Sequence, residues 1–130
     1  MTDFMKSMSA ASSGMAAQTA RLRITAENIA NADTPGYRRK VISFETAFMA
    51  GDGVAEVKPG RINLDQSDLE RIYEPTHPMA DESGHYDGTN VDLMIELADA
   101  REAQRSYEAN LKMFEQTRKM SSGLMDLLRR

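Results

Sequence analysis

Two histidines and two carboxylates crowd one short stretch, "HPMADESGH", in which His77, Asp81, Glu82 and His85 lie close together. Imidazole and carboxylate are the ligand types of zinc sites and of sites for harder cations. Their spacing matches no helical ligand pair, however, and a working metal site needs its ligands oriented by further hydrogen bonds. The stretch therefore reads as a structured turn, and no metal ligand is assigned. Asp65, Asp68, Glu70 and Glu74 could supply a general acid and base only inside a pocket that raises one of their pKa values. As an open run they read as a solvated acidic surface. "GDG" at Gly51–Gly53 lacks the lysine and following helix of a phosphate-cradling loop. "YRRK", Tyr37–Lys40, reads as positive charge near a helix carbonyl end or as a contact for a neighbour's acidic middle segment. No catalytic residue, cofactor-binding residue or small-molecule substrate emerges, and the chain is not expected to be an enzyme.

If no residue set carries chemistry, the elements themselves must carry the function. The 130 residues suit one domain; 41% are apolar but only 6% aromatic, with ten Met, no Trp and no Cys. Such a chain builds a thin core from adaptable Met and small Ala, with neither disulfide nor thiolate metal site. No stretch has the roughly 18 apolar residues of a membrane helix. The N-terminus lacks the continuous apolar centre of a cleavable signal peptide, so export would need a different machine.

Large apolar residues recur every seven positions in the first segment: Met1, Met8, Met15, Leu22 and Ile29, with Phe4 and Ala11 between them. A sustained heptad predicts a helix lying along another helix, here over residues 1–33. Ala10, Ala17, Ala20 and Ile24 form its reverse face, small enough for close approach by a second neighbour. "TPGY" then stops it: Pro35 expels Thr34 from the helical region, and Gly36 suits the positive φ of a type II turn. Asn28 and Asn31 either cap this helix end or set register between packed helices.

A second helix is predicted over 90–130, with Asn90 as N-cap. Its heptad row runs Leu93, Leu97, Ala100, Gln104, Tyr107, Leu111, Phe114, Arg118, Ser121, Met125 and Leu128. Roughly opposite lies another stripe: Val91, Ile95, Ala98, Ala109, Met113, Met120, Leu124 and Leu127. A helix apolar on two faces cannot satisfy both against one partner helix. The first helix can cover one, and self-association is the simplest cover for the other.

The middle segment, 34–89, is different material. "KVISFETAF" and "VAEVKPGRINL" predict small strands, and "YEPTHPMADESGHYDGTN" reads as loop. Net charge is +3 over residues 1–40, −7 over 41–89 and zero over 90–130. That pattern does not suit nucleic acid, which wants one basic face; it suits like subunits meeting through opposite charges. The expected fold is mainly α, with the two terminal helices paired as an antiparallel coiled coil beside a small β-containing middle.

"AENIANADTPGYRRK", Ala26–Lys40, resembles the signature of the rod and hook proteins of the bacterial flagellum. Asn28, Ala30, Asn31, Thr34, Pro35, Gly36 and Tyr37 stand at matching positions, whereas Glu27 replaces the usual first asparagine. "YEPTHPMAD", with Tyr73, Pro75, His77 and Pro78, and "REAQRSYEANLKMF" resemble stretches of the proximal rod branch of that family. Asn90 and Val91 also match, but Thr89 stands where a proline is usual. The resemblance implies a structural subunit of the proximal rod in the basal body, spanning the periplasm. It implies helical polymerisation into a hollow shaft that transmits torque, and passage of the unfolded chain through the flagellar type III export apparatus. Implied partners are further copies, other proximal and distal rod subunits and the membrane-ring adaptor. A monomeric helical adaptor or export chaperone is the alternative; a hydrolase or metal enzyme would have to use His77 or His85.

Overall fold

A computed structural model describes residues 2–48 and 53–130. Met1 of the first heptad row and part of "GDG" lie outside the described residues. The order is α1 (Thr2–Ala30), β1 (Lys40–Phe48), β2 (Ala55–Leu64), β3 (Arg71–Tyr73), β4 (His85–Asp87) and α2 (Leu93–Arg129). Within the stretch expected to be loop, His85–Asp87 is a strand, because Arg71–Tyr73 offers it a backbone ladder in antiparallel register.

α1 is rich in Ala and free of Pro, so nothing interrupts its 29 residues. The stop is the turn that its sequence requires. Tyr37 N donates to Thr34 O at 3.1 Å, and Gly36 takes φ 77°, the geometry of a type II turn. α2 begins two residues later than Asn90 would place it. Asp92 is the N-cap, and its carboxylate accepts from Met94 N at 2.9 Å. The side chain of Asn90 is engaged elsewhere and is not free to cap.

β1 and β2 form an antiparallel hairpin against α1, where Ser13 Oγ accepts from Val57 N and Ser9 Oγ donates to Glu56. β-branched and aromatic residues at Val41, Ile42, Phe44 and Thr46 suit the pleat. The register shifts between Ile42 and Phe44, so that Gly60 and Arg61 oppose Ser43 alone. Gly60 permits that bulge: a Cβ there would lie 2.6 Å from Ser43 Oγ.

The two long helices pack against each other through small residues. Gly14 meets Asn110, Arg21 meets Asp99 and Glu102, and Asn28 meets Glu96. Rising numbers on one helix thus face falling numbers on the other. A Cβ on Gly14 would lie 2.7 Å from Asn110 Nδ2, so this glycine sets how closely the axes approach. Among the described residues the buried apolar side chains are Ala11, Ala17, Ile24 and Ala103, while Thr25, Asn28, Thr89 and Glu96 are buried and polar. From α1, Ala17 and Ile24 of the reverse face and Ala11 of the first row supply that core, while Met8, Met15, Leu22 and Ile29 are half-buried.

Candidate assembly interface

Two features stand out: a closed polar junction where α1 ends and α2 begins, and open apolar faces along the rest of α2. The junction centres on Asn28, 1% exposed. Its amide donates to Lys40 O at 2.8 Å and Glu96 Oε2 at 3.2 Å. Its carbonyl oxygen accepts from Tyr37 OH at 2.8 Å and Lys40 N at 2.9 Å. All four hydrogen-bonding positions of the amide are filled. A buried side chain so satisfied ties the helix to the strand that follows the turn.

Glu96, also 1% exposed, faces Asn28 from the first turn of α2. Arg39 Nε donates to it, while the rest of the guanidinium reaches Asp99 at 3.1 Å and Asp65 at 3.6 Å. Burial alone would lower the Arg39 pKa, but the hydrogen bond and charge of Glu96, followed by Asp99 and Asp65, more than offset it and hold the value up. The Asp65 carboxyl is held below its ordinary range, chiefly by the hydrogen bonds of Ser67, with Arg39 adding to them. Lys40 pairs with Glu27, whose hydrogen bond raises the lysine value. Partial burial, with the Glu27 charge beside it, raises that of Tyr37. Of the "RRK" cations, Arg39 thus binds α2, Lys40 pairs with Glu27 in the last turn of α1, and Arg38 donates to Asp65 O and Ser67 O.

Other signature residues close the same junction. Asn31 Nδ2 donates to Glu27 O at 2.9 Å, and its Oδ1 accepts from Thr34 Oγ1 at 3.1 Å. Gly36 N donates to both Asp87 O and Gly88 O. Asn90 Oδ1 accepts from Arg39 N at 2.6 Å while its amide donates to Asp65 O and Ser67. Thr89 Oγ1 donates to Ala32 O at 2.7 Å, and Val91 beside it is half-buried. Ala30 is the exposed last residue of α1, and Pro35 is half-buried in the turn.

The second signature stretch builds a separate small hairpin. His77 stacks on Tyr86 with centroids 3.8 Å apart, and its Nδ1 accepts from Met79 N. Tyr73 tilts over His85, and Gly84 at φ 82° leaves room for Tyr73 and Pro75. Pro78 is exposed. Asp81 accepts from Ser83 Oγ at 2.5 Å and from the backbone of Ser83 and His85, and pairs with Arg71 at 2.8 Å. These bonds, that of the Ser83 hydroxyl above all, hold its carboxyl well below the usual range. Both histidines thus act in turn geometry, and no group of three metal-ligating side chains occurs among the described residues.

Along α2 the buried and half-buried positions are Glu96, Asp99, Ala100, Ala103, Ser106, Tyr107, Asn110, Phe114, Thr117 and Ser121. Ala100, Tyr107, Phe114 and Ser121 belong to the heptad row read from the sequence. The companion row lies one residue back from Leu97, Gln104, Leu111 and Arg118, because Ala103 and Asn110 allow closer approach than leucine would. Leu97, Leu111 and Met125 are consequently exposed; Leu93 and Leu128, on the covered row but beyond its ends, are exposed too. So is the second stripe: Ile95, Met113, Met120, Leu124 and Leu127, with Met113 64% exposed. On α1, Met8, Met15, Leu22 and Ile29 are half-buried. No helix is long and apolar enough to cross a membrane among the described residues.

Sequence reasoning missed Arg39, Glu96, Asp99 and Asp65 as one cluster. The available signal was Glu96 itself, a lone charge set into the apolar run "LMIELADA".

Residues 8–38 match the family described as "Flagella basal body rod protein", and residues 82–127 match "Flagellar basal body rod FlgEFG protein C-terminal". Flagellar basal-body rod protein FlgC of Agrobacterium fabrum is 44% identical over 92% of this chain and 91% of its own length. The protein of that name from Salmonella typhimurium is 34% identical, covering 85% of this chain and 87% of its own. That from Bacillus subtilis is 33% identical, with coverages of 92% and 94%.

Proposed function

The chain belongs to the FlgC family of flagellar basal-body rod proteins, and we propose that it does its work by packing rather than by catalysis. It is a structural subunit of the basal-body rod. In this reading α1 and α2 form an antiparallel coiled coil, residues 1–33 and 90–130 make one core unit, and residues 34–89 lie on its outside. Copies and related rod subunits then stack helically into a hollow proximal shaft that carries torque and passes exported chains. The membrane-ring adaptor and the distal rod are its neighbours at either end, and it reaches the periplasm through the type III export apparatus. The coiled-coil reading is supported by the ordered series of contacts from Gly14 with Asn110 to Asn28 with Glu96.

One observation carries the proposal. Large apolar side chains that a free domain would bury, among them Leu97, Ile95, Met113 and Met120, lie open on α2. Covering them with neighbours yields roughly 0.8 kcal/mol for each CH2 removed from water, spread over many contacts. Torque then passes through a continuous surface and not through a single site.

The test is made in cells. Leu111→Asp and Met113→Asp should each stop rod assembly and motility while the subunit is still exported in measurable amount. Full motility of both variants would overturn the assembly reading, and a stable isolated monomer with no tendency to associate would favour an adaptor.

A further inference from the structure

The covered row of α2 changes character along its length. Where α1 lies against it, the row is Glu96, Ala100, Ala103, Tyr107, Asn110, Phe114, Thr117 and Ser121, mostly small or polar. One heptad further, at 124 and 128, the same row is Leu and Leu. The contacts Gly14 with Asn110 and Asn28 with Glu96 place Thr2 beside residues near 122, so this leucine end runs past the described start of α1. Leu124 is 40% and Leu128 74% exposed.

α1 itself repeats by seven. Ala10, Ala17 and Ile24 form one row, and Gly14, Arg21 and Asn28 the other. Sliding α1 by seven residues toward the end of α2, about 10.5 Å, would bring Gly14 opposite Thr117 and cover Leu124 and Leu128. Small residues would still meet small residues along most of the seam. Apolar burial by itself therefore favours the slid register, yet the chain does not adopt it.

What opposes the slide is the polar junction. After it, Asn28 would face Ala103, and Arg39 would leave Glu96 and Asp99. Glu96, left beyond the last turn of α1, would lose both its hydrogen bond to Asn28 and its ion pair with Arg39. A buried polar group at one heptad position is a known means of fixing register at some cost in stability. We propose that Asn28, Arg39 and Glu96 are register-setting residues: they hold α1 one heptad short of the register that would cover Leu124 and Leu128. This goes beyond the rod reading, and because its test reads register and not assembly, either can fail without the other.

The chain has no cysteine of its own, so engineered pairs report without background. Gly14→Cys with Asn110→Cys should cross-link in the observed register, and Gly14→Cys with Thr117→Cys in the slid one. In the otherwise unchanged full chain, brief oxidation should trap the first pair and little of the second. Adding Arg39→Met with Glu96→Leu, which fills the junction with apolar side chains, should raise trapping of the Gly14→Cys/Thr117→Cys pair about tenfold. Circular dichroism checks that this variant stays helical. If it does not, Arg39→Gln with Glu96→Gln takes its place under the same criterion. Trapping that remains confined to the Gly14→Cys/Asn110→Cys pair would overturn the proposal.

Discussion

The two ends of the helix pair are made of opposite materials. Where α1 stops, Asn28 and Glu96 are each 1% exposed and every polar atom of the asparagine amide is bonded. Toward the far end, Met113, Met120, Leu127 and Leu128 stand open to solvent. The seam is polar and closed at the first end, although Leu93, Ile95 and Leu97 stand exposed on the outer side of α2 there, whereas the far end is apolar and open. Geometry is settled within the subunit at the first end, and apolar side chains are left to solvent at the second. Substitutions at the two ends should therefore fail in different assays.

The largest effect on the free chain belongs to Glu96→Ala. It removes the buried carboxylate from Arg39 and Asn28 and leaves a void. Arg39 keeps Asp99 and Asp65, so the loss is about 3 kcal/mol, at the lower end for a broken buried pair. Urea unfolding followed by helix signal measures it, and a loss below about 0.5 kcal/mol, the scale of a surface substitution, would break the contrast between the ends. Asn28→Ala comes next. Tyr37 OH and Lys40 N lose their acceptor and Lys40 O its donor, for about 2 kcal/mol when such groups stay partly buried. Because Asn28 also ties β1 to α1, amide exchange should quicken at Lys40 as well as along the last turn of α1.

Gly14→Ala probes the seam between the ends. Alanine is the better helix former by about 1 kcal/mol, but its methyl would press on Asn110 at 2.7 Å. Overpacking outweighs propensity, for a net loss of about 1 kcal/mol. Joined with Asn110→Ala, the same change should become neutral or stabilising, since the obstacle is a side chain and not backbone. Smaller again, and confined to the β3–β4 hairpin, is the effect of acid. The Asp81 carboxyl is depressed in the folded state, so the stability it lends is complete above about 4, the ordinary aspartate value, and drains away as pH falls through the depressed one. The amide of His85, which donates to Asp81, should shift with that titration; Asp81→Asn should abolish the dependence.

Much of this architecture was legible in the residues, and the failures have physical causes. "TPGY" specifies its turn locally, since Pro fixes one dihedral and Gly permits the other; the helix end followed at once. The seven-residue repeat announced helices that lie along one another. Which row faces inward was not legible, because apolar size is the wrong criterion when a seam is set by backbone approach: Ala103 and Asn110 lie inside, and Leu111 beside them lies outside. Asn90 misled for a related reason. Its type suits an N-cap, but a residue 51 positions away, Arg39, claims its side chain, and such long-range competition has no local signature. The partnership of Glu96 with Arg39 was hidden in the same way.

Met113→Asp has the smallest expected effect on the isolated subunit and sharpens the comparison most. The side chain is 64% exposed and lies away from the α1 seam. Replacing it removes little buried area within the chain, so unfolding free energy should stay within about 0.5 kcal/mol of the parent. In an assembled rod the same position would be desolvated, and an aspartate there would be a charge taken from water without a partner, at a cost of several kcal/mol per copy. Repeated at every subunit of a polymer, that cost leaves no assembly at any attainable concentration. The two measurements belong together: unchanged urea midpoint in the purified chain, and loss of polymer by sedimentation. If Met113→Asp instead destabilised the free chain as much as Glu96→Ala, its side chain would be buried by the subunit's own fold, and the open end would be closed after all.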